Sequence, residues 1–390
     1  MTARKIGVFT GNRAEYGLLV PVLRALRDAP DLNLALFVGL RGLSDEGENF
    51  PVAATVPIAR ADATPASTPR AIGEGILGLT DALVSTTPDV FVVYGDRYEA
   101  FAAMIAATQM GLPTAHIEGG DMTQGGTLDD VVRHAMTKLA HIHLATNPVS
   151  AAHIRQLGEE DWRIHDVGFP TLDLIRAGDF SPPDEVLAEL GLTADRPLVI
   201  FTQHPITTSH GTAGAEIDAC LTALDDVRTE LDAQIVLTYP NSDLGSESII
   251  QALEQWAAER PDVVLRKSLG RRLYHGVLNL CGRVTRGVCV GNSSSGVKET
   301  GAFECPAVNI GPRQSGRLAG DNVAHVDVDP HNIFRAIRRA LTDGVYRAAV
   351  RAAPNPYGEG DTGARVTRVL RELDLDDPRL LNKQTILPPV

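Results

Sequence analysis

Short apolar runs recur along the chain, each ending in glycine or polar residues and each followed by a stretch of helical periodicity. The first five are Lys5–Thr10, Leu32–Gly39, Val90–Tyr94, Pro113–Ile117 and Ile142–Ala145. They are continuous rather than alternating, the pattern of parallel strands covered by helices on both faces. The stretch Gly168–Asp184 carries Pro170, Pro182 and Pro183; prolines oppose a continuing helix, so an extended connection is expected there. The pattern then restarts with Leu198–Thr202, Ile235–Thr238, Val263–Leu265, Gly287–Val290, Ala307–Ile310 and His325–Val328. Asn332–Leu341 and Ala364–Leu373 read as helices, and Ala53–Thr68, rich in Ala, Pro and Thr, reads as a loose loop. The expected fold class is α/β: two Rossmann-like domains with parallel sheets, ligand chemistry sitting beyond the carboxyl ends of the strands, in a cleft between the halves.

Composition narrows the function. The 390 residues are 44% hydrophobic, enough for two cores, and 36 basic residues stand against 49 acidic ones, a net charge of −13. Nucleic-acid binding rests on Lys and Arg neutralising phosphates, and at 5% aromatics few rings are available for stacking, so that class is excluded. A small anion remains possible, because a few local arginines outweigh a distant acidic surface. The first apolar run is too short for a secretion signal, no stretch approaches the about 20 apolar residues of a membrane span, and the four cysteines form no CxxC pair. A cytoplasmic protein with reduced thiols and no membrane contact is expected.

The chemistry-bearing residues gather just after the apolar runs. Arg13 follows the first, Asp96 and Arg97 the third, and Glu118 the fourth, with His116 inside its end. Asp129 and Asp130 close a glycine-rich loop; Asp129 is the weaker candidate, since it can simply cap the next helix. Three carboxylates and two arginines at one sheet edge are costly unless they meet a ligand. In the second half, His204 and Asn241 follow two runs, and Gly291-Asn292-Ser293-Ser294-Ser295-Gly296 follows a third. A strand, then glycine and serines, then a helix beginning near Val297 makes a nest of N–H groups suited to a diphosphate. Glu299, placed in the first turn of that helix, is positioned for a ribose diol, and Arg313 and Arg317 for the phosphate charge. His141 and His143 lie on one strand face with no third ligand at metal spacing, so packing is expected rather than metal. No GxxxxGK[ST], GxGxxG or GxSxG motif occurs.

Seven segments in order, Thr10–Leu19, Gly95–Arg97, His116–Asp121, Asp129–His141, Gln203–Pro205, Gly291–Phe303 and Asn309–Gln314, resemble the UDP-N-acetylglucosamine 2-epimerases, in particular the hydrolysing branch of sialic- and legionaminic-acid pathways. The resemblance implies two Rossmann-like domains facing a cleft (the GT-B arrangement), at 1–175 and 176–365, with 366–390 returning to the first domain. It implies that Asp96, Glu118 and Asp130, with His204, form the catalytic group. Arg13, Arg97, His116, Asn241, Ser293, Ser294, Glu299 and Arg313 would bind the substrate. The implied reaction converts UDP-N-acetylglucosamine to N-acetylmannosamine and UDP by anti elimination across C1–C2 and hydration, with no metal or cofactor, in a homodimer or homotetramer. One segment departs from the family pattern: Gly42, in Leu40-Arg41-Gly42-Leu43, stands where the family has a histidine. That keeps open an alternative, a relative acting on another nucleotide sugar or glycosyl phosphate and making or breaking a different C1 bond. A non-catalytic nucleotide-sugar sensor is disfavoured, because every matching acidic position is filled.

Overall fold

A computed structural model describes residues 3–39, 50–58, 64, 66–123, 128–206, 213–241 and 245–387, without the side chains of Arg13 and Ala14. The segment around Gly42 and most of the glycine-rich loop before Leu128 therefore lie outside the described residues. The chain splits into two compact units. One comprises Met1–Asp121, Asp129–Leu174 and Tyr357–Val390, the other Met122–Leu128 and Ile175–Pro356.

Among the described residues the first unit holds seven strands: β1 (Arg4–Thr10), β2 (Leu32–Val38), β3 (Val52–Thr55), β4 (Val90–Tyr94), β5 (Thr114–Ile117), β6 (Ile142–Ala145) and β7 (Ile164–Asp166). Their order is β3-β2-β1-β4-β5-β6-β7, and every pairing is parallel. The second unit holds β8 (Leu198–Thr202), β9 (Gln234–Thr238), β10 (Val264–Arg266), β11 (Gly287–Gly291), β12 (Ala307–Ile310) and β13 (Val323–Val326). Their order is β10-β9-β8-β11-β12-β13, again parallel throughout. The expected α/β class with two Rossmann-like parallel sheets therefore holds. Each strand order reverses once, between β1 and β4 and between β8 and β11, and open α/β sheets bind ligands at such switch points.

The apolar runs are continuous because both sheet faces are covered. One face of the first sheet packs Ile6, Val8 and Val92 with Leu19 and Leu23 of the helix Arg13–Arg27. The other packs Phe9, Phe91 and Val93 with Ala103 and Met104 of the helix Tyr98–Gln109, and Phe37 meets Phe91 edge to face at 5.2 Å. A fully buried side chain of this kind contributes about 1.5–3 kcal/mol.

Four local expectations are corrected. The supposed loop Ala53–Thr68 begins as part of the edge strand β3 and ends in the helix Ser67–Thr86. β3 is short and largely exposed, so its residues show no apolar run. Gly73, Gly75 and Gly78 lower the helix propensity of Ser67–Thr86; yet a Cβ at Gly78 would lie 2.7 Å from Val56 Cγ1, so packing uses the missing side chain. The strand β7 was missed because it has three residues. The proline-rich connection is not simply extended: Pro183 opens the helix Pro183–Leu190, where its lacking N–H costs nothing. Finally, the helix after β11 is Ser294–Lys298 and begins at the serines, with Glu299 at its end rather than in its first turn.

Candidate functional site

At the carboxyl edge of the first sheet, three strand ends form tight turns. Asn12 caps the helix after β1, its Oδ1 accepting from Glu15 N at 3.0 Å, while Glu15 Oε2 accepts from Gly11 N at 2.9 Å. Gly95 follows β4 with φ +76° and Glu118 follows β5 with φ +72°. Glycine adopts such a φ freely, but for Glu118 it is a strained backbone, the kind of local cost that accumulates at functional sites. The strain aims a carboxylate that is 9% exposed.

One buried guanidinium organises this edge. Arg133, on the helix Leu128–Leu139, is 2% exposed and pairs with both Asp96 Oδ2 and, at 3.0 Å, Asp130 Oδ1. Its Nη1 also donates to the Asp121 carbonyl at 2.8 Å. Burial works against its charge, but the carboxylates of Asp96, Asp121 and Glu118 outweigh that and raise its pKa further. Arg133 thus ties two predicted carboxylates to one rigid element. In the sequence Arg133 is marked only by its i,i+3 spacing from Asp130 on a helix. Tyr94 was missed too: burial first, then the Glu118 and Asp96 carboxylates, push its phenol well above the ordinary value.

Among the other predicted residues of this half, Arg97 Nε lies 3.5 Å from Glu99 Oε2. The Arg13 side chain lies outside the described residues. His116 is fully buried, and its Nε2 bonds the Gly95 carbonyl at 2.7 Å. It supports the turn that carries Asp96, where a substrate-binding side chain had been expected. Burial lowers its pKa to about 4, so the ring is neutral and Nε2 carries the proton.

The second unit has its own cluster at the β8/β11 switch. Asn292 clamps two loops: its Oδ1 accepts from His204 N at 2.7 Å, its Nδ2 donates to His204 O at 2.8 Å, and its carbonyl accepts from Arg313 at 3.1 Å and Gln314 at 2.8 Å. His204 Nδ1 lies 3.1 Å from both the backbone N and the side-chain Oδ1 of Asn241. Burial, then the Arg313 cation, lower His204 to about 3, so its ring is neutral. Ser293 caps the following helix with an extended backbone (ψ 144°) and is half-buried beside Ser294. Glu299 is buried; its Oε2 accepts from His275 Nε2 at 3.1 Å and Ser295 Oγ at 2.9 Å. Burial alone would raise this carboxyl, but the hydrogen bond from His275 reverses the shift and lowers it. A held carboxylate with one oxygen uncommitted to His275 suits a diol. His275 is a functional neighbour that no sequence motif marks, and Asn292, part of the glycine–serine nest, holds the loops beside it.

A cavity of about 990 Å³ runs along β13 and the helix Pro330–Thr342, lined by Gln314, Arg317, Arg335 and Arg339 among others. Of the predicted residues Arg317 lines it, and its Nη1 donates at 2.9 Å to Gln314 Oε1, next to the Asn292 cluster. Among the described residues no group of His, Cys, Asp or Glu could hold a metal ion, and no helix is long and apolar enough to cross a membrane. His143 instead bonds Glu159 at 2.9 Å, and His141 accepts from Thr114 N at 3.1 Å.

The geometry can be set beside known proteins. A family model described as UDP-N-acetylglucosamine 2-epimerase matches residues 47–371. The chain is 33% identical over 389 residues to a Legionella pneumophila protein named UDP-N,N'-diacetylbacillosamine 2-epimerase (hydrolyzing), covering 97% of this chain and 98% of that one. It is 32% identical over 375 residues to a Neisseria meningitidis UDP-N-acetylglucosamine 2-epimerase, covering 94% and 93%. A solved Neisseria meningitidis UDP-GlcNAc 2-epimerase bound to UDP-GlcNAc superposes with a TM-score of 0.82 at 15% identity, covering 95% of this chain and 100% of that one.

Proposed function

The chain belongs to the UDP-N-acetylglucosamine 2-epimerase family and is an enzyme of that kind; from that premise we propose that it is a hydrolysing 2-epimerase of a UDP-linked 2-acetamido sugar. UDP-N-acetylglucosamine is the leading substrate, with N-acetylmannosamine and UDP as products. The observation that carries the reading is the Asp96–Arg133–Asp130 bridge with Glu118 beside it. It holds several carboxylates at one switch point, where a weakly acidic C2–H needs a positioned base.

The first step removes the C2 proton to a carboxylate. The C–H electrons form the C1=C2 bond, and the C1–O bond breaks with its electron pair leaving on UDP. Arg313, the N–H groups after Ser293 and the neutral His204 ring meet the charge developing on the diphosphate. Glu299 takes the ribose hydroxyls. In the second step water adds across the double bond, hydroxyl to C1 and a proton to C2 on the face that inverts it. In this reading the protein works in the cytoplasm as a homodimer or homotetramer without metal or cofactor.

A second substrate reading has one supporting observation: the Legionella relative, matched over nearly the whole length, is named for the diacetylbacillosamine nucleotide. Incubating the enzyme in heavy water with each UDP sugar separates the two readings. The expected result is free UDP and a 2-epimerised sugar with one deuterium at C2, read by mass spectrometry and NMR. A C1-linked product without C2 exchange would overturn the reaction and favour the alternative of different C1 chemistry. The Asp96→Asn variant is expected to lose turnover by at least about 100-fold.

A further inference from the structure

Beneath the first sheet edge lies a line of buried polar groups that the proposed chemistry does not use. His116 on β5 and His143 on β6 are register partners on neighbouring parallel strands, so their side chains share one sheet face. Both are 0% exposed. His116 Nε2 bonds the carbonyl of Gly95, in the turn that presents Asp96. His143 Nε2 bonds Glu159 Oε2 at 2.9 Å. The Glu159 side chain is 0% exposed and is also 2.6 Å from Lys138 Nζ and 2.6 Å from Lys383 Nζ. Lys383 donates further to the carbonyls of Thr137 at 3.0 Å, Lys138 at 2.8 Å and Ala140 at 2.6 Å. A residue near the C-terminal end of the described chain therefore shares a carboxylate with His143, whose neighbour on the adjacent strand, His116, holds the turn of the predicted catalytic Asp96.

Proton positions follow from the acceptors. A carbonyl and a carboxylate accept, so both histidines carry their proton on Nε2. Their Nδ1 atoms are bare, buried and without a hydrogen-bond partner among the described residues. A Cβ on Gly119 would lie only 3.0 Å from His116 Nδ1, so the ring has little room to turn. The titratable groups acting on His143 are Glu159, Lys383 and His116 on β5, while Lys138 on the helix Leu128–Leu139 acts on Glu159 and Lys383, and Arg163 on Lys383. Burial lowers His143 to about 4, and the Lys383 cation adds to that.

We propose that His143, Glu159 and Lys383 are positioning residues that act through His116 on the Gly95-Asp96-Arg97 turn, so that the seating of the C-terminal segment tunes the carboxylate chemistry. The inference rests on Asp96 being catalytic, and its test separates the two. Histidine side-chain ¹⁵N NMR of the wild-type protein at pH 7 needs no turnover: neutral Nε2–H tautomers for both rings are expected, and an Nδ1–H tautomer or a cation at either overturns the proposal. In kinetics, Lys383→Met is expected to lower kcat about tenfold with KM unchanged. Without that cation His143 protonates more readily, so the acid limb of kcat moves up by about one pH unit; Lys383→Arg restores both. If Asp96→Asn abolishes turnover while Lys383→Met leaves kcat and its pH profile unchanged, this inference fails and the epimerase reading stands. If Asp96→Asn keeps full turnover, the catalytic reading of Asp96 fails, and the kinetic part of this inference with it.

Discussion

Glu15 illustrates what a single residue contributes at the candidate site. It lies beneath the turn after β1, holding Gly11 N with one oxygen. Burial, and secondly the Glu99 carboxylate, raise its pKa from 4.5 to about 8. The folded protein keeps a proton that the unfolded chain releases above about 4.5, so stability falls as pH rises from there towards 8. Glu15→Gln keeps an acceptor for Gly11 and removes the ionisation. Urea midpoints are expected to show the variant gaining on the wild type between pH 5 and pH 8; an equal gap at both pH values would contradict the argument. Residue-level legibility was uneven. Asp96, Glu118 and Asp130 stood out because carboxylates after apolar runs are costly. Arg133 did not, since an arginine inside a helix reads as solvated surface until a fold buries it.

Elements show where local pattern suffices and where it does not. Nine of the eleven expected strand segments overlap observed strands by three residues or more, because a continuous apolar run bounded by polar residues has few other uses. The exposed β3 and the three-residue β7 carry no such run. The β11 end depends on a glycine: Gly291 has φ +126°, and a Cβ there would overlap the carbonyl of Thr202, its register partner on β8. Gly291→Ala is therefore expected to destabilise by about 3 kcal/mol, from strain and overpacking together. Chemical denaturation measures it, and a loss below about 1 kcal/mol would show that the turn relaxes.

At the scale of the whole chain, distant segments complete one another within the first unit. The helix Thr362–Glu372 has no local side-chain cap; Asp173 supplies it, accepting from Thr362 N at 2.9 Å and Gly363 N at 2.8 Å. Asp173→Ala is expected to cost about 1–2 kcal/mol and to speed hydrogen exchange in 362–372 while leaving the helix Ala213–Leu231 of the other unit unchanged. Arg163 fastens the same end of the chain, its guanidinium bonded to the Leu380 carbonyl at 2.9 Å. The sequence by itself determined the class of fold, most strand positions and the kinds of residue at the strand ends, because period and polarity act over a few neighbouring residues and are set by how each segment meets water. Only the tertiary structure decided that one arginine bridges Asp96 and Asp130, that His116 supports a turn, that Glu299 is held by His275, and that Lys383 reaches Glu159. Those partners lie 3 to 224 positions apart, and which atoms meet across such distances depends on the packing of whole sheets and helices.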